Sequence, residues 1–214
     1  MRTMADATGG GETHAETAAE RRSRLIAVAC RVIAEEGVAA CTFRRLAAAA
    51  GCSTRPFTHA FGTRDGLLRE VALQTWEASS FDRSPLADPT RLPPDWDCVD
   101  DLVAIGETFL PVTDALRESE RVYIEIILFS LTRPALAAEL LAFSRAANRR
   151  VGQLIDEGRR RGQITSPQTT EDLTMAFWGL QEGLALTALY EPTELRRERI
   201  SPIWRAGVAA LMRP

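Results

Sequence analysis

Apolar residues recur three and four positions apart along almost the whole chain, and a glycine or proline closes each run. That spacing gathers apolar side chains into one stripe of an α-helix. Between Arg21 and Glu36 the stripe is Leu25, Val28, Ala29, Val32 and Ile33, and Gly37 ends it. Thr42 is the expected cap of a second helix, Phe43 to Ala50, with Phe43, Leu46, Ala47 and Ala50 inward and Gly51 as its stop. Ser53 is the expected cap of a third, short helix running to about Phe61, and Gly62 and Thr63 separate it from a fourth, Asp65 to about Ser80. No alternation of strand length and no internal repeat appears, so the chain reads as all-α.

Pro85, Pro89, Pro93 and Pro94 interrupt the pattern between Phe81 and Asp97, which marks a long loop or a boundary. Helical segments then follow near Val99–Thr113, Asp114–Thr132, Pro134–Arg161, Thr170–Tyr190 and Glu194–Met212, punctuated by Pro111, Pro134, Pro167, Pro192 and Pro202. Residues 1–18, with Gly9-Gly10-Gly11 and no apolar stretch, read as a disordered leader rather than a secretory signal. Residues 19–64 and 65–214 then form the two expected domains, the first a three-helix unit.

Several function classes drop out on composition. No run of some 18 apolar residues exists, since Tyr123–Leu131 is broken by Glu125, so no membrane partner is expected and the location is cytoplasmic. Cys30, Cys41, Cys52 and Cys98 lack the close pairing of a zinc site and the density of a disulfide scaffold, and the only histidines are His14 and His59. There is no glycine-rich phosphate loop and no nucleophile paired with a base. No enzyme, metal or cofactor is implied.

The net charge of -3 hides an asymmetry. Residues 18–70 carry nine Arg against five acids, while the rest of the chain is acidic. A basic segment on an acidic chain points to a local polyanion site, with a solvated arginine-rich face as the alternative. Within it, TFRRLAAAAGCSTRPFTHAF (Thr42 to Phe61) has Ala47 where two helices approach, Gly51 where the chain turns, and Phe57 as a core plug. This is the spacing of a helix-turn-helix, whose second helix keeps a free outer face. Ser53, Thr54, Arg55, Thr58 and His59 lie on or at the start of that helix, placed to meet base edges in a major groove. Thr42, Arg44, Arg45 and Arg64 lie where backbone phosphates of double-stranded DNA would pass.

The wider stretch Arg24–Leu68, with Glu36-Gly37, Thr42, Leu46-Ala47, Ala50-Gly51, Ser53, Phe61-Gly62 and Arg64-Asp65-Gly66-Leu67-Leu68, resembles the DNA-binding region of TetR-family bacterial transcriptional regulators. Two departures stand out: the family's phosphate-contacting tyrosine is Thr58 here, and its lysine is Arg64. Glu120 to Met212 resembles, more loosely, the family's BetI-type carboxy-terminal domain. The resemblance implies a helical effector-binding and dimerising domain, and so a ligand-responsive repressor released from an inverted-repeat operator by a small molecule of unknown identity. The alternative is a helical partner-binding protein with a degenerate helix-turn-helix.

In the second domain, Phe109, Tyr123, Glu125, Phe143, Phe177 and Gln181 are the candidate effector contacts, with Asn148 and Glu182 as further polar groups on the same helices. A carboxylate buried beside aromatics there would favour a cationic or hydrogen-bond-donating ligand. Leu180, Leu184, Ile203, Trp204 and Val208, on the last two helices, are the candidate homodimer interface.

Overall fold

The structure is a computed structural model that describes residues 16–78, 92–193 and 195–214; residues 1–15 of the expected leader and most of the proline-rich loop lie outside the described residues, while Thr17 and Ala18 belong to the start of the first helix. Four helices come first: α1 (Ala18–Glu36), α2 (Phe43–Ala50), α3 (Arg55–Phe61) and α4 (Arg64–Ala78), with a single 3-10 turn at Val38–Ala40. Then come α5 (Cys98–Glu107), α6 (Asp114–Ser130), α7 (Pro134–Arg160), α8 (Thr170–Tyr190) and α9 (Arg197–Met212). Among the described residues there is no strand.

Local signals explain most boundaries. Thr17 and Glu20 form a reciprocal capping box at the start of α1, and the Thr42 hydroxyl accepts from the Arg45 amide at 3.2 Å to start α2. Gly51 closes α2 in the left-handed region at φ 63°, where a Cβ would be strained. Thr113 and Thr169 cap α6 and α8 in the same way.

Three expectations are corrected. Ser53 does not cap α3: the helix begins at Arg55, Thr54 is its N-cap without a side-chain bond, and Pro56 occupies the first turn, where its missing N–H does little harm. Helix α5 ends at Glu107 rather than Thr113, because buried Leu110 and Pro111 draw the chain into turns. Helix α9 begins at Arg197 rather than Glu194 and runs through Pro202, whose forfeited bond is to the carbonyl of exposed Glu198.

Packing divides into two apolar cores. The first joins α1 to α3 with Leu67, Leu68, Val71 and Ala72 of α4, and continues into Val122 and Ile126 of α6 and Leu136 and Leu140 of α7. The amino-terminal unit therefore shares its core with residues downstream of position 65. The second core is built on α5, α7, α8 and α9 around Trp204, whose indole N–H donates to the Val103 carbonyl at 2.9 Å. Gly106 permits that approach: a Cβ there would lie 1.9 Å from the Trp204 ring. Burial pushes the Cys30 thiol up to about 11 and those of Cys41 and Cys98 up to about 12, so these cysteines act as small apolar fillers.

Candidate functional site

Helix α3 is held from behind and bare in front. Phe57 and Phe61 point into the first core, with the Phe57 ring stacked 6.1 Å from that of Phe43. Arg22 of α1 donates to the Ala60 carbonyl at 2.6 Å, lies over the Phe61 ring, and pairs with Glu70 of α4 at 3.0 Å. These contacts fix the helix end between α1 and α4. On the other side Ser53, Thr54, Arg55, Thr58 and His59 are all exposed. A groove of about 680 Å³ runs beside them, between α3 and the start of α1, with Arg21, Arg22, Arg55 and His59 along it.

The arginines expected at phosphates separate. Arg44 is exposed on α2. Arg45 is committed to Glu36, and the guanidinium holds that carboxyl below the usual range. Both are largely at the surface, where such a pair is weak and a phosphate can compete for the arginine. Arg64 is a correction. Its guanidinium turns inward, donates to the Val38 carbonyl at 2.5 Å and stacks 4.6 Å from the centre of the Phe129 ring. The planar cation finds a carbonyl and an aromatic face together, so Arg64 ties α4 to the Val38 turn and α6.

Glu125 is a second correction. It stands away from the cavity of the larger domain and accepts from the Val38 amide at 2.5 Å. Arg121, four residues earlier, reaches the Ala34 carbonyl of α1. One face of α6 thus holds the amino-terminal unit through Arg121, Glu125 and Phe129.

The opposite face of α6 carries Leu116, Glu120 and Tyr123, spaced i, i+4 and i+7. It borders a cavity of about 280 Å³ enclosed by α6, α7, α8 and the turn after α5. Phe109, Tyr123 and Gln181 of the expected set line it, joined by Glu120, Trp178, Asn148 and Glu182. A smaller cavity of about 160 Å³, reaching Thr75 of α4, adjoins it at Phe109 and Glu120. Phe109 meets Trp178 edge to face at 5.6 Å, and buried Gln181 donates to the Phe109 carbonyl at 3.3 Å. Phe143 is half-buried but does not line the cavity, and Phe177 is fully buried between Trp178 and Trp204 as core.

Glu120 is the residue that sequence reasoning missed. It is 8% exposed and meets no hydrogen-bond donor among the described residues, so burial, with the Glu182 charge nearby, pushes its carboxyl up to about 8. Burial also raises Glu182 at the rim, and raises Tyr123, whose hydroxyl bonds Ser144. The available signal was a glutamate in phase with Leu116 and Tyr123 on an amphipathic helix.

Two family descriptions match these two regions. Residues 25–71 match the bacterial regulatory proteins of the tetR family, and residues 99–213 match the BetI-type transcriptional repressor carboxy-terminal domain. The chain belongs to the TetR family. It is thus a DNA-binding transcriptional regulator with an effector-binding helical domain, and the family is one of regulators rather than enzymes. No curated protein matches the chain.

Solved structures share the fold. A TetR-family transcriptional regulator from Rhodococcus sp. superposes with TM-score 0.75 at 19% identity, covering 91% of this chain and 99% of that one. A transcriptional regulator from Saccharomonospora viridis, in complex with choline, gives 0.70 at 21% identity over 90% and 95%. The multidrug binding protein EbrR, complexed with imidazole, gives 0.60 at 26% identity over 91% of each chain.

Dimer expectations also meet the structure here. Trp204 and Val208 are fully buried in the second core, while Leu180 and Leu184 are half-buried against it, Leu180 filling the space over Gly207. That corrects Trp204 and Val208 as interface residues, because their side chains are already packed. Ile203 of α9 is exposed, as are the apolar residues Met175, Leu186 and Tyr190 along one side of α8, of which Met175 also borders the cavity. Among the described residues no helix is long and apolar enough to cross a membrane.

Proposed function

We propose that this regulator is a cytoplasmic repressor that holds an inverted-repeat operator as a homodimer and leaves it when a small molecule enters the α5–α8 cavity. The observation that carries the reading is the pairing on α6: one face lines the cavity with Glu120 and Tyr123, the other grips the helix-turn-helix with Glu125 and Phe129. A ligand that displaces α6 acts on both at once. Helix α4 is the second link, since Glu70 holds the end of α3 through Arg22 and Arg64 holds the Val38 turn, while Thr75 reaches the adjoining cavity. The switch requires a ligand with different affinities for the two spacings of the recognition helices. Solved relatives carrying choline and imidazole support a small organic effector.

In this reading Thr54, Arg55, Thr58 and His59 contact base edges, and Arg44 and Arg45 contact phosphates. Thr42 contributes mainly as the α2 cap that sets their position. The α8 face of Met175, Leu186 and Tyr190, with Ile203, meets its two-fold copy, spacing the α3 helices by one turn of DNA, roughly 34–36 Å, or a multiple of it. Residues 19–64 form the DNA-reading unit and 65–214 the effector and dimer unit, with the first core running across the division.

Gel shift against DNA upstream of the protein's own gene is the direct test. Saturable binding to an inverted repeat, falling steeply with salt, is expected. Absence of binding at low salt would favour a partner-binding protein with a degenerate helix-turn-helix, the reading that Thr58 in place of tyrosine keeps in view.

A further inference from the structure

We propose that the α5–α8 cavity takes a compact organic monocation, seated with its positive group against Glu120 and its apolar surface against Phe109, Tyr123 and Trp178. This rests on the reading of that cavity as the effector site and names the chemistry it selects.

Glu120 is more than nine-tenths buried, borders both adjoining cavities, and meets no donor among the described residues. A buried carboxyl without a partner is unfavourable unless it is neutralised or paired. Among the described residues the other ionisable groups facing the cavity are Glu182 on α8 and Tyr123 on α6, and no arginine lines it. An anionic ligand would therefore meet two carboxyl groups and no cation. A neutral apolar ligand would leave Glu120 as it is, whereas a cation gives its carboxylate the partner it lacks among the described residues. The three rings offer π-faces and edges of the kind that favour an ammonium group over a neutral one of the same shape. A volume of about 280 Å³ lies near the lower end for small-molecule sites, which fits a compact ammonium.

With no cation paired to it, Glu120 is protonated at neutral pH, because burial pushes its carboxyl up to about 8. Binding is then an exchange: the Glu120 carboxylic acid plus the cation gives a carboxylate–cation pair plus one proton released to solvent. Affinity must rise with pH below about 8, by up to roughly tenfold per unit for one proton exchanged.

Titration calorimetry on the full chain tests this, using choline and benzyltrimethylammonium against their uncharged carbon isosteres, 3,3-dimethylbutan-1-ol and neopentylbenzene. Runs at pH 7 in phosphate and in Tris read the proton count from the difference in buffer ionisation heat. At least one cation is expected to bind tenfold or more tightly than its isostere, to release close to one proton, and to tighten between pH 6 and 8. Glu120→Gln is expected to lose at least tenfold in cation affinity and all of the proton release. Glu182→Gln, at the exposed rim, is expected to weaken cation binding less, and it keeps the test open should the first variant not fold. Isosteres that bind as well as the cations, no binding by either cation, or cation binding without proton release overturns the proposal. Operator binding without ligand is scored separately by gel shift, so a protein that binds operator but fails here loses this inference alone.

Discussion

Glu120→Gln should abolish a pH dependence of stability in a window set by this one side chain. In the unfolded chain its carboxyl titrates near the ordinary value of 4.5, and in the folded protein near about 8. Between those values the native state keeps a proton that the unfolded state has lost. Stability is then fully present below about 4.5 and falls as pH rises toward 8. At about 1.36 kcal/mol per pH unit, the loss between pH 5 and pH 8 integrates to about 3–4 kcal/mol. Glutamine matches the neutral acid in shape and does not titrate, so wild type and variant should be nearly equal at pH 5. By pH 8 the variant should be the more stable by about 3 kcal/mol. For a chain of this size that is a difference of roughly 6–12 °C in melting temperature. Urea unfolding at pH 5, 6, 7 and 8, with protein concentration fixed so that any self-association contributes equally, supplies the comparison. Parallel pH profiles for the two proteins, or a wild type that gains on the variant toward pH 8, would refute the claim that Glu120 is buried without a partner.

Other residues give independent checks. Glu125→Ala removes the acceptor of the half-buried Val38 amide and should cost about 1.5–3 kcal/mol, with faster hydrogen exchange at Val38 and a weaker effector response in gel shift. Thr58→Tyr places the family's phosphate-contacting ring on an exposed position, so operator affinity should rise several-fold while unfolding free energy stays within about 0.5 kcal/mol; an unchanged affinity would mean this face does not approach phosphate. Leu186→Arg puts a charge on the exposed α8 line and should yield a monomer in sedimentation velocity, whereas an unaffected dimer would place the interface elsewhere.

The local order of residues was enough to establish the helices and the helix-turn-helix. Leu25, Val28, Ala29, Val32 and Ile33 can share a buried stripe only in a helix, Gly51 takes a conformation that other residues resist, and Phe57 lies in phase with Phe61. Those are short-range constraints, settled within a few residues along the chain, and so the exposed faces of Thr54, Arg55, Thr58 and His59 were legible too. The roles of single polar and aromatic side chains in the larger domain were not. Glu120 and Glu125 sit about 140° apart around α6, so one borders the cavity and the other grips Val38. Their assignment turns on which neighbour covers each face. Ile203 and Trp204 differ by one position, yet one is exposed and the other fills the core beside Gly106, 98 residues earlier in the chain. Arg64 points inward because Phe129 and the Val38 carbonyl, distant in sequence, converge on it. Periodicity states which side of a helix is apolar, while only the packed arrangement of helices decides what each side meets, because that depends on residues brought together by folding.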